Sequence, residues 1–367
     1  MARNLVLCCD GTSNQFAKDR TNVIKLFHTL VKDEAVQAVY YHPGIGTRAP
    51  TGIGTRVGTA LARTAGLAFG YRLQDDIVDA YRYLMNSYEV GDRVYIFGFS
   101  RGAYTARVVA AMLHLYGLAM RGNDSLVPYA VEMLWALARA KSDNQFAERE
   151  HLAKDFKQTI GGRECKTHFL GVWDTVNSVG WIGSPLTVPY GRYNPDVAIV
   201  RHAKALDEVR AFFRVNWFSD DKERDIKEVW FPGTHCDVGG GFQEAESGIS
   251  KYPLEWMVNE AAKAGLLINE RRLDEVLGKV GTVYARPSPT AKLHLGMRPA
   301  VWALAEFIPK KHWNFPKQKW EWRMNLFRRR TLPPNPLVHD VAWQIPGYPV
   351  PRGAIKLSSR LSREGAG

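Results

Sequence analysis

Short apolar runs alternate along the chain with longer stretches in which apolar residues recur at helical spacing. The strand-like runs occupy 4–9, 38–41, 93–97, 167–173 and 227–231, and each stops at a polar or glycine-rich turn. Runs of this length are typical of strands buried on both faces, and helical stretches between them are typical of crossover connections. The pattern therefore predicts an α/β fold with a mostly parallel central sheet and helices on both faces.

The connecting stretches show the three-to-four-residue spacing of helices. The first helix is expected to follow Thr21 or Asn22, because both residue types are suitable N-caps. Residues 48–70 are rich in Gly, Thr and Ala and are predicted to form a mobile loop. Further helices are predicted over about 71–87, over 103–118, within 119–164 and over 200–213.

Length and composition favour one large domain with an appended segment. The chain has 367 residues, of which 46% are hydrophobic, so a sizeable core can be buried. We assign residues 1–300 to the α/β domain, with residues 119–164 as a helical cap insertion. Residues 301–367 form a basic, aromatic and proline-rich C-terminal extension packed on it. The sequence has neither a signal-peptide pattern nor an apolar run long enough to span a membrane, so a cytoplasmic location is expected.

Positive charge is concentrated late in the chain. The formal net charge is +12, and eight lysines and arginines lie between residues 310 and 330, interleaved with five aromatic residues. Two interpretations stay open: the segment docks on an anionic membrane surface, or its aromatic residues pack on the main domain while its charges face water. Nucleic acid is not expected, because no nucleic-acid motif accompanies the patch.

The pentapeptide GFSRG at 98–102 lies between a β-rich run and an alanine-rich helical stretch. A G-x-S-x-G nucleophile elbow requires this strand–turn–helix context, because its glycines let strand and helix pass closely while the serine holds a strained conformation. The hydroxyl of Ser100 would then project above the sheet, near a helix N-terminus. The alternative is that Ser100 merely caps an ordinary helix.

A serine nucleophile needs a base, and the base needs a carboxylate to orient it. The run 167–173 ends at Asp174, and the run 227–231 leads into a glycine-rich loop that contains His235. The order Ser, Asp, His is the order found in α/β-hydrolases. Of the ten histidines, only His235 combines this order with a strand-end position. We therefore predict Ser100 as nucleophile, His235 as base and Asp174 as acid.

Acyl transfer also needs N–H donors for the oxyanion. The backbone N–H of Arg101, which follows the nucleophile, is the first candidate, and the amide of Gly11 or Thr12 is the second. The side chain of Asp10 is expected to hold this early loop, and Asp237 is expected to hold the loop after the base. No cofactor and no metal are expected.

Six motifs of the chain resemble the large family of formerly uncharacterised α/β-hydrolase domains that includes type VI secretion phospholipase effectors. They are CCDGTSN (8–14), PGIGT (43–47), GFSRGAYTAR (98–107), GVWDTVNSVG (171–180), HAKALDEVRAFF (202–213) and EVWFPGTHCDVGGGF (228–242). The resemblance implies an α/β-hydrolase fold, lipase or phospholipase activity on an ester or lipid substrate, and a triad of Ser100, Asp174 and His235. It also implies export by a signal-independent secretion system as an alternative to a cytoplasmic location.

Three other functional classes stay open on the residues alone. LVLCCDGT at 5–12 is similar to the strand-end signature of phosphatases that form an aspartyl-phosphate, although Cys8 occupies the nucleophile position. A metal-dependent phosphoesterase would group acids and ligands from three loops: Asp10, Asp174, His235, Cys236 and Asp237. A hydrolase-like scaffold could instead act as a membrane-surface or protein-binding module through residues 310–330. A serine that reacts with a fluorophosphonate would distinguish the hydrolase from all three.

Overall fold

The structure, a computed structural model, describes residues 2–11, 20–44, 67–176, 180–181, 184–185, 187–211, 213, 216–218, 223–295, 306–315 and 317–358. Its helices are α1 (Asn22–Thr29), α2 (Leu67–Ser87), α3 (Arg101–Tyr116), α4 (Leu126–Ala138), α5 (Asp143–Thr159), α6 (His235–Gly239), α7 (Lys251–Lys263) and α8 (Glu270–Val276). Its strands are β1 (Asn4–Cys9), β2 (Gln37–His42), β3 (Arg93–Phe99), β4 (Thr167–Trp173), β5 (Gly180–Trp181), β6 (Ser184–Pro185), β7 (Val197–Ala205), β8 (Asp225–Phe231), β9 (Lys310–Asn314), β10 (Lys319–Arg323), β11 (Leu337–His339) and β12 (Ile355–Leu357).

Eight strands form one sheet in the order β12-β11-β8-β7-β4-β3-β1-β2. Every neighbouring pair in this sheet runs parallel. The predicted α/β fold with a parallel central sheet is confirmed. Each of the five predicted runs is a strand, and its predicted ends differ from the observed ends by at most two residues. Of the predicted loop 48–70, residues 48–66 lie outside the described residues, and residues 67–70 already belong to α2.

Helices cover both faces of the sheet, as the pattern predicts. Successive side chains of a strand point to opposite faces, so β1 contributes to two cores. Leu5, Leu7 and Cys9 pack in the core that contains α2, α3 and α4. Val6 and Cys8 pack in the core that contains α1, α7 and α8. The adjacent cysteines are therefore buried free thiols on opposite sides of one strand.

The helix predicted over 200–213 is wrong, because Val197–Ala205 is a strand that pairs with β4 on one side and β8 on the other. The run contains helix-forming residues, but pairing with two strands overrides local propensity. Its buried polar side chains are neutralised by partners: Arg201 Nε donates to Glu260 at 2.5 Å, and His202 Nδ1 lies 2.9 Å from Glu228.

The predicted insertion 119–164 is helical, and its two helices α4 and α5 pack on α2 and α3 over one face of the sheet. The C-terminal segment forms one edge of the central sheet. There β11 pairs with β8 through Val338 and Trp230, and β12 pairs with β11. Within the described part of the chain, no helix is both long and apolar enough to cross a membrane.

Candidate active site

Ser100 lies in the turn between β3 and α3 with φ 57° and ψ −116°, a conformation that side chains rarely adopt. The flanking glycines explain how the turn is built. A Cβ on Gly98 would lie 2.4 Å from the Gly102 oxygen, and a Cβ on Gly102 would lie 2.1 Å from the Cys9 oxygen. No larger residue fits at either position, so strand and helix meet at van der Waals distance around the serine. Although Ser100 precedes α3, its side chain makes no capping bond to that helix.

The structure brings the three predicted side chains into one hydrogen-bonded chain. Ser100 Oγ lies 2.8 Å from His235 Nε2, and His235 Nδ1 lies 2.5 Å from Asp174 Oδ2. His235 and Asp174 are both buried. We refer to Ser100, His235 and Asp174 below as the candidate triad.

Parallel strand ends explain why these residues meet. Ser100 follows β3, Asp174 follows β4 and His235 follows β8, and parallel strands place their carboxyl ends at the same edge of a sheet. Backbone bonds fix this edge, because the Ser100 N–H donates to the Trp173 oxygen at 3.1 Å and the Asp174 N–H donates to the Ala203 oxygen at 2.7 Å.

The imidazole of His235 is packed between aromatic rings. The ring centroids of Phe99 and Phe213 each lie 4.6 Å from that of His235. Gly239 makes room for Phe99, since a Cβ there would lie 1.8 Å from the Phe99 ring. Burial lowers the pKa of His235 below its ordinary value, although the Asp174 carboxylate opposes this shift. The imidazole is therefore neutral near pH 7 and can accept a proton from Ser100.

Carboxylates fix the loop that carries His235. Asp237 accepts hydrogen bonds from the N–H and the hydroxyl of Thr234 at 2.8 and 2.9 Å. The first of these bonds and a bond from the Asp237 backbone N–H to the Thr234 side chain form a capping box for α6. Glu208 accepts from the His235 N–H at 3.2 Å. His294, which sequence reasoning set aside, lies 2.7 Å from Asp237 through its Nδ1 and 2.9 Å from Glu246 through its Nε2.

Sequence reasoning missed Arg330 entirely. Two nitrogens of its guanidinium bind Asp174: Nη1 lies 2.5 Å from Oδ1, and Nη2 lies 2.9 Å from Oδ2. The side chain of Arg330 is 8% exposed. Burial alone would raise the pKa of Asp174, but Arg330 and His235 together hold it well below its usual range. The only sequence signal was the run of three arginines at 328–330, and nothing local shows which of them turns inward.

The two candidate oxyanion donors differ in what the structure shows. Arg101 is the first residue of α3, so its amide lies at a helix N-terminus. The Gly11 amide donates to the Asp10 carboxylate at 2.6 Å, so it must exchange this partner before it can bind an oxyanion. The Asp10 carboxylate also accepts from the hydroxyls of Thr21 and Tyr41, which ties the early loop to α1 and β2. Thr12 lies outside the described residues.

The metal cluster considered from the sequence does not form. Both ring nitrogens of His235 contact members of the triad, whereas Asp237 and Asp10 bind separate partners. Among the described residues, no group of three or more His, Cys, Asp or Glu side chains could hold a metal ion. Burial raises the pKa of the Cys236 thiol to about 12, which makes it a poor ligand or nucleophile.

Comparison with known proteins places the chain in a family. Residues 3–260 match the family described as "T6SS, Phospholipase effector Tle1-like, catalytic domain". The chain belongs to this family. The resemblance inferred from the six motifs is thereby confirmed, and the matched range contains all three members of the candidate triad but ends before β9.

Three individual proteins are similar to parts of the chain. The uncharacterized protein YEL023C of Saccharomyces cerevisiae is 36% identical over 222 residues, which cover 58% of this chain and 32% of that protein. The chain thus spans about a third of this curated relative. A crystal structure of an uncharacterized protein from Pseudomonas aeruginosa has a TM-score of 0.42 at 20% identity, covering 73% of this chain and 47% of that one. The Tle1 effector bound to the VgrG spike from the type 6 secretion system has a TM-score of 0.39 at 20% identity, covering 68% and 53%.

Proposed function

We propose that this chain is a serine hydrolase that cleaves carboxylic esters of lipids, with phospholipid acyl esters as the first class to test. Ser100 acts as nucleophile, His235 as general base and Asp174 as the orienting acid. The observation that carries the proposal is the hydrogen-bonded chain from Ser100 Oγ through a buried, neutral imidazole to a buried carboxylate. Membership of a phospholipase effector family supports the lipid substrate.

The geometry supports a two-step acyl transfer. As Ser100 Oγ attacks the ester carbonyl carbon, its proton moves to His235 Nε2, and Asp174 stabilises the resulting imidazolium. The amide of Arg101 and the N-terminus of α3 stabilise the oxyanion. His235 then gives the proton to the leaving alcohol as the C–O bond breaks, which leaves an acyl group on Ser100. In the second step His235 takes a proton from water, the hydroxide releases the fatty acid, and the proton returns to Ser100.

Fluorophosphonate labelling tests the chemistry directly. The wild-type protein should be labelled, and Ser100→Ala should not be. Incubation with phosphatidylcholine vesicles followed by mass spectrometry should then show fatty acid and lysophospholipid from the wild-type protein only. A wild-type serine that stays unlabelled would contradict the hydrolase proposal and favour the scaffold that binds without catalysis.

A second proposal concerns the aromatic hairpin, by which we mean β9 and β10 (residues 310–323). We infer that it docks on an anionic lipid surface. In β10, Trp320 and Trp322 alternate with Lys319 and Glu321, so the two tryptophans share one face of the hairpin, and they are 55% and 59% exposed. This exposure argues against the interpretation in which both pack on the main domain.

The opposite face of the aromatic hairpin contacts the body of the protein. Lys310 is buried, and its ammonium donates to the Ala211 oxygen. On the outer face, the Lys311 ammonium lies 5.8 Å from the centre of the Trp322 ring. Exposed tryptophans beside cations suit the boundary between lipid headgroups and acyl chains. Nearby residues add exposed apolar surface: Phe307, Met324 and Leu326.

A further proposal concerns the route by which the protein reaches its lipid. The Tle1 effector of the solved complex binds a VgrG spike of the type 6 secretion system. We propose that this chain is made in the cytoplasm and that type VI export, with a spike protein as partner, is the route to test for reaching its lipid. Appearance of the protein in the medium of a type VI-competent host, and its absence from a matched secretion-deficient host, would support that route.

A further inference from the structure

Arg330 lies outside the range that matches the family, yet it makes the most extensive contact with Asp174. Two nitrogens of its guanidinium bind the two carboxylate oxygens, at 2.5 and 2.9 Å. The Ala205 N–H adds a bond to Oδ1 at 2.9 Å, and His235 adds one to Oδ2. Such a fork fixes the plane of a carboxylate, because both oxygens are held at once. Oδ2, the oxygen that receives the His235 N–H, is thus also held by Nη2 of Arg330.

Charge balance gives Arg330 a second role. Asp174 is buried and ionised, whereas His235 is neutral in the resting state. A buried carboxylate without a compensating charge is strongly disfavoured. Lys204 is also buried near this edge, but it pairs with Glu228 at 3.1 Å. Arg330 is therefore the cation that compensates Asp174.

Arg330 is itself held by the loop that packs on the base. Its Nε and Nη2 donate to the Phe213 oxygen at 2.9 and 2.5 Å, and the Phe213 ring contacts His235. The segment leading to Arg330 is anchored by Glu306, which accepts from the Ala211 N–H at 2.5 Å and the Phe327 N–H at 2.8 Å. The backbone that carries Arg330 is therefore anchored to the body of the protein by these hydrogen bonds.

We propose that Arg330 is a positioning residue of the active site, which holds Asp174 ionised and oriented toward His235. This inference rests on the proposed function, since a positioned acid matters only if the triad catalyses. It makes the segment 306–330 part of the active site, in addition to any role of the aromatic hairpin at a lipid surface.

Titration of His235 provides a measurement that a merely structural role would not change. The charged or titratable groups around His235 come from the residue after β4, from β7 and the loop after it, from α6 and from the C-terminal segment. They are Asp174, Lys204, Glu208, Arg210, Cys236 and Arg330. If Arg330 is removed, no arginine compensates the negative charge of Asp174. That charge then favours the protonated, imidazolium form of His235 more strongly. The pKa of His235 should then rise, and the acid limb of kcat/KM should move to higher pH.

The experiment compares Arg330→Gln and Arg330→Lys with Arg352→Gln, a matched control at an exposed arginine of the same C-terminal region. With a soluble p-nitrophenyl ester, we expect Arg330→Gln to lose about 10²-fold in kcat, the size expected for a misplaced catalytic group. Its acid limb should move to higher pH. Arg330→Lys should keep the wild-type acid limb, because it keeps the charge, but should lose about tenfold in kcat, because an ammonium cannot hold both oxygens. Arg352→Gln should match the wild type in both.

Two outcomes separate this inference from the function on which it rests. Wild-type kcat and an unshifted acid limb in a folded Arg330→Gln, with Ser100 still labelled by fluorophosphonate, would overturn the positioning role alone. If Arg330→Gln does not fold, Arg330→Lys decides, because wild-type kcat in that variant would show that two-point contact is not needed. Failure of the wild-type protein to be labelled would overturn the proposed function instead.

Discussion

The sheet edge that carries the candidate triad and the aromatic hairpin use their side chains in opposite ways. At the sheet edge, Asp174 and His235 are 1% and 3% exposed, and each is bonded to several partners. On the hairpin, Trp320 and Trp322 are more than half exposed, and the Lys311 ammonium lies near the Trp322 ring. The first arrangement suits chemistry that depends on tenths of an ångström, and the second suits adhesion to a surface without fixed atomic positions. Arg330 follows the hairpin by seven positions along the chain and binds Asp174 at the sheet edge.

The largest expected effect separates the two regions completely. Ser100→Ala and His235→Ala should each lower ester hydrolysis by about 10³- to 10⁶-fold, and Asp174→Asn by about 10⁴-fold. Because the three side chains act as one unit, the triple variant should be hardly worse than Ser100→Ala. Binding of each variant to anionic vesicles, measured by co-sedimentation, should equal that of the wild type.

Neighbouring acids provide the control for this assignment. Asp237 lies in the same short helix as His235, α6, but binds Thr234 and His294, and Asp207 accepts from the Gly233 N–H at 2.8 Å. Asp237→Asn and Asp207→Asn should lower the melting temperature and retain most activity. If either abolished turnover in a folded protein while Asp174→Asn kept near-full activity, the choice of Asp174 as the acid would be wrong.

The sequence brings out the candidate triad for a reason that also explains what it missed. Ser100 and Asp174 each come directly after a strand and His235 comes four residues after β8, so a correct strand prediction places all three at one edge. The helix predicted over 200–213 includes most of β7, whose charged residues Arg201 and Lys204 are buried. Their partners lie on other elements, and local periodicity carries no information about such partners.

Arg330 shows the same limit at longer range. It is 156 positions from Asp174 along the chain, and its neighbours Arg328 and Arg329 have the same residue type. A contact at this separation depends on tertiary bonds such as those that join Glu306 to Ala211 and Asn325 to Val209. The alternation of Trp320 and Trp322 with polar residues was visible in the sequence, but the face that points outward depends on Lys310 being buried on the other side.

The next effect concerns the hairpin alone. The double variant Trp320→Ala, Trp322→Ala should weaken binding to anionic vesicles by at least about tenfold, because burial of a large apolar side chain stabilises binding by about 1.5–3 kcal/mol. Turnover of a soluble ester should stay unchanged. Trp343→Ala is the matched control, since Trp343 is 40% exposed but lies outside the hairpin. An equal loss of vesicle binding in Trp343→Ala and in the double variant would contradict the proposal that the hairpin docks on lipid.

A smaller effect is expected from hairpin charge. Lys311→Gln should weaken vesicle binding by about fivefold, since each cation near an anionic surface contributes about 1 kcal/mol. The difference should shrink at high salt, where exposed charges are screened. Arg329 and Arg330 are unsuitable for this test, because they bind Asp207 and Asp174. Vesicle binding that changes neither with salt concentration nor with anionic lipid content would show that charge plays no part in docking.

The smallest change is a shift in pH dependence at the sheet edge. In the proposed mechanism His235 accepts a proton in its neutral form, so activity should be present above its pKa and be lost as the pH falls through it. Burial lowers that pKa, and the ionised Asp174 only partly opposes the shift. The acid limb of kcat/KM for a soluble ester should therefore have its midpoint below the ordinary histidine value of about 6.5. Asp174 should add no second limb between about pH 5 and 7, because its own pKa is held far lower by Arg330 and His235. A midpoint above the ordinary value would mean that the imidazole is charged at rest, and Ser100 would then lack the base that the geometry assigns to it.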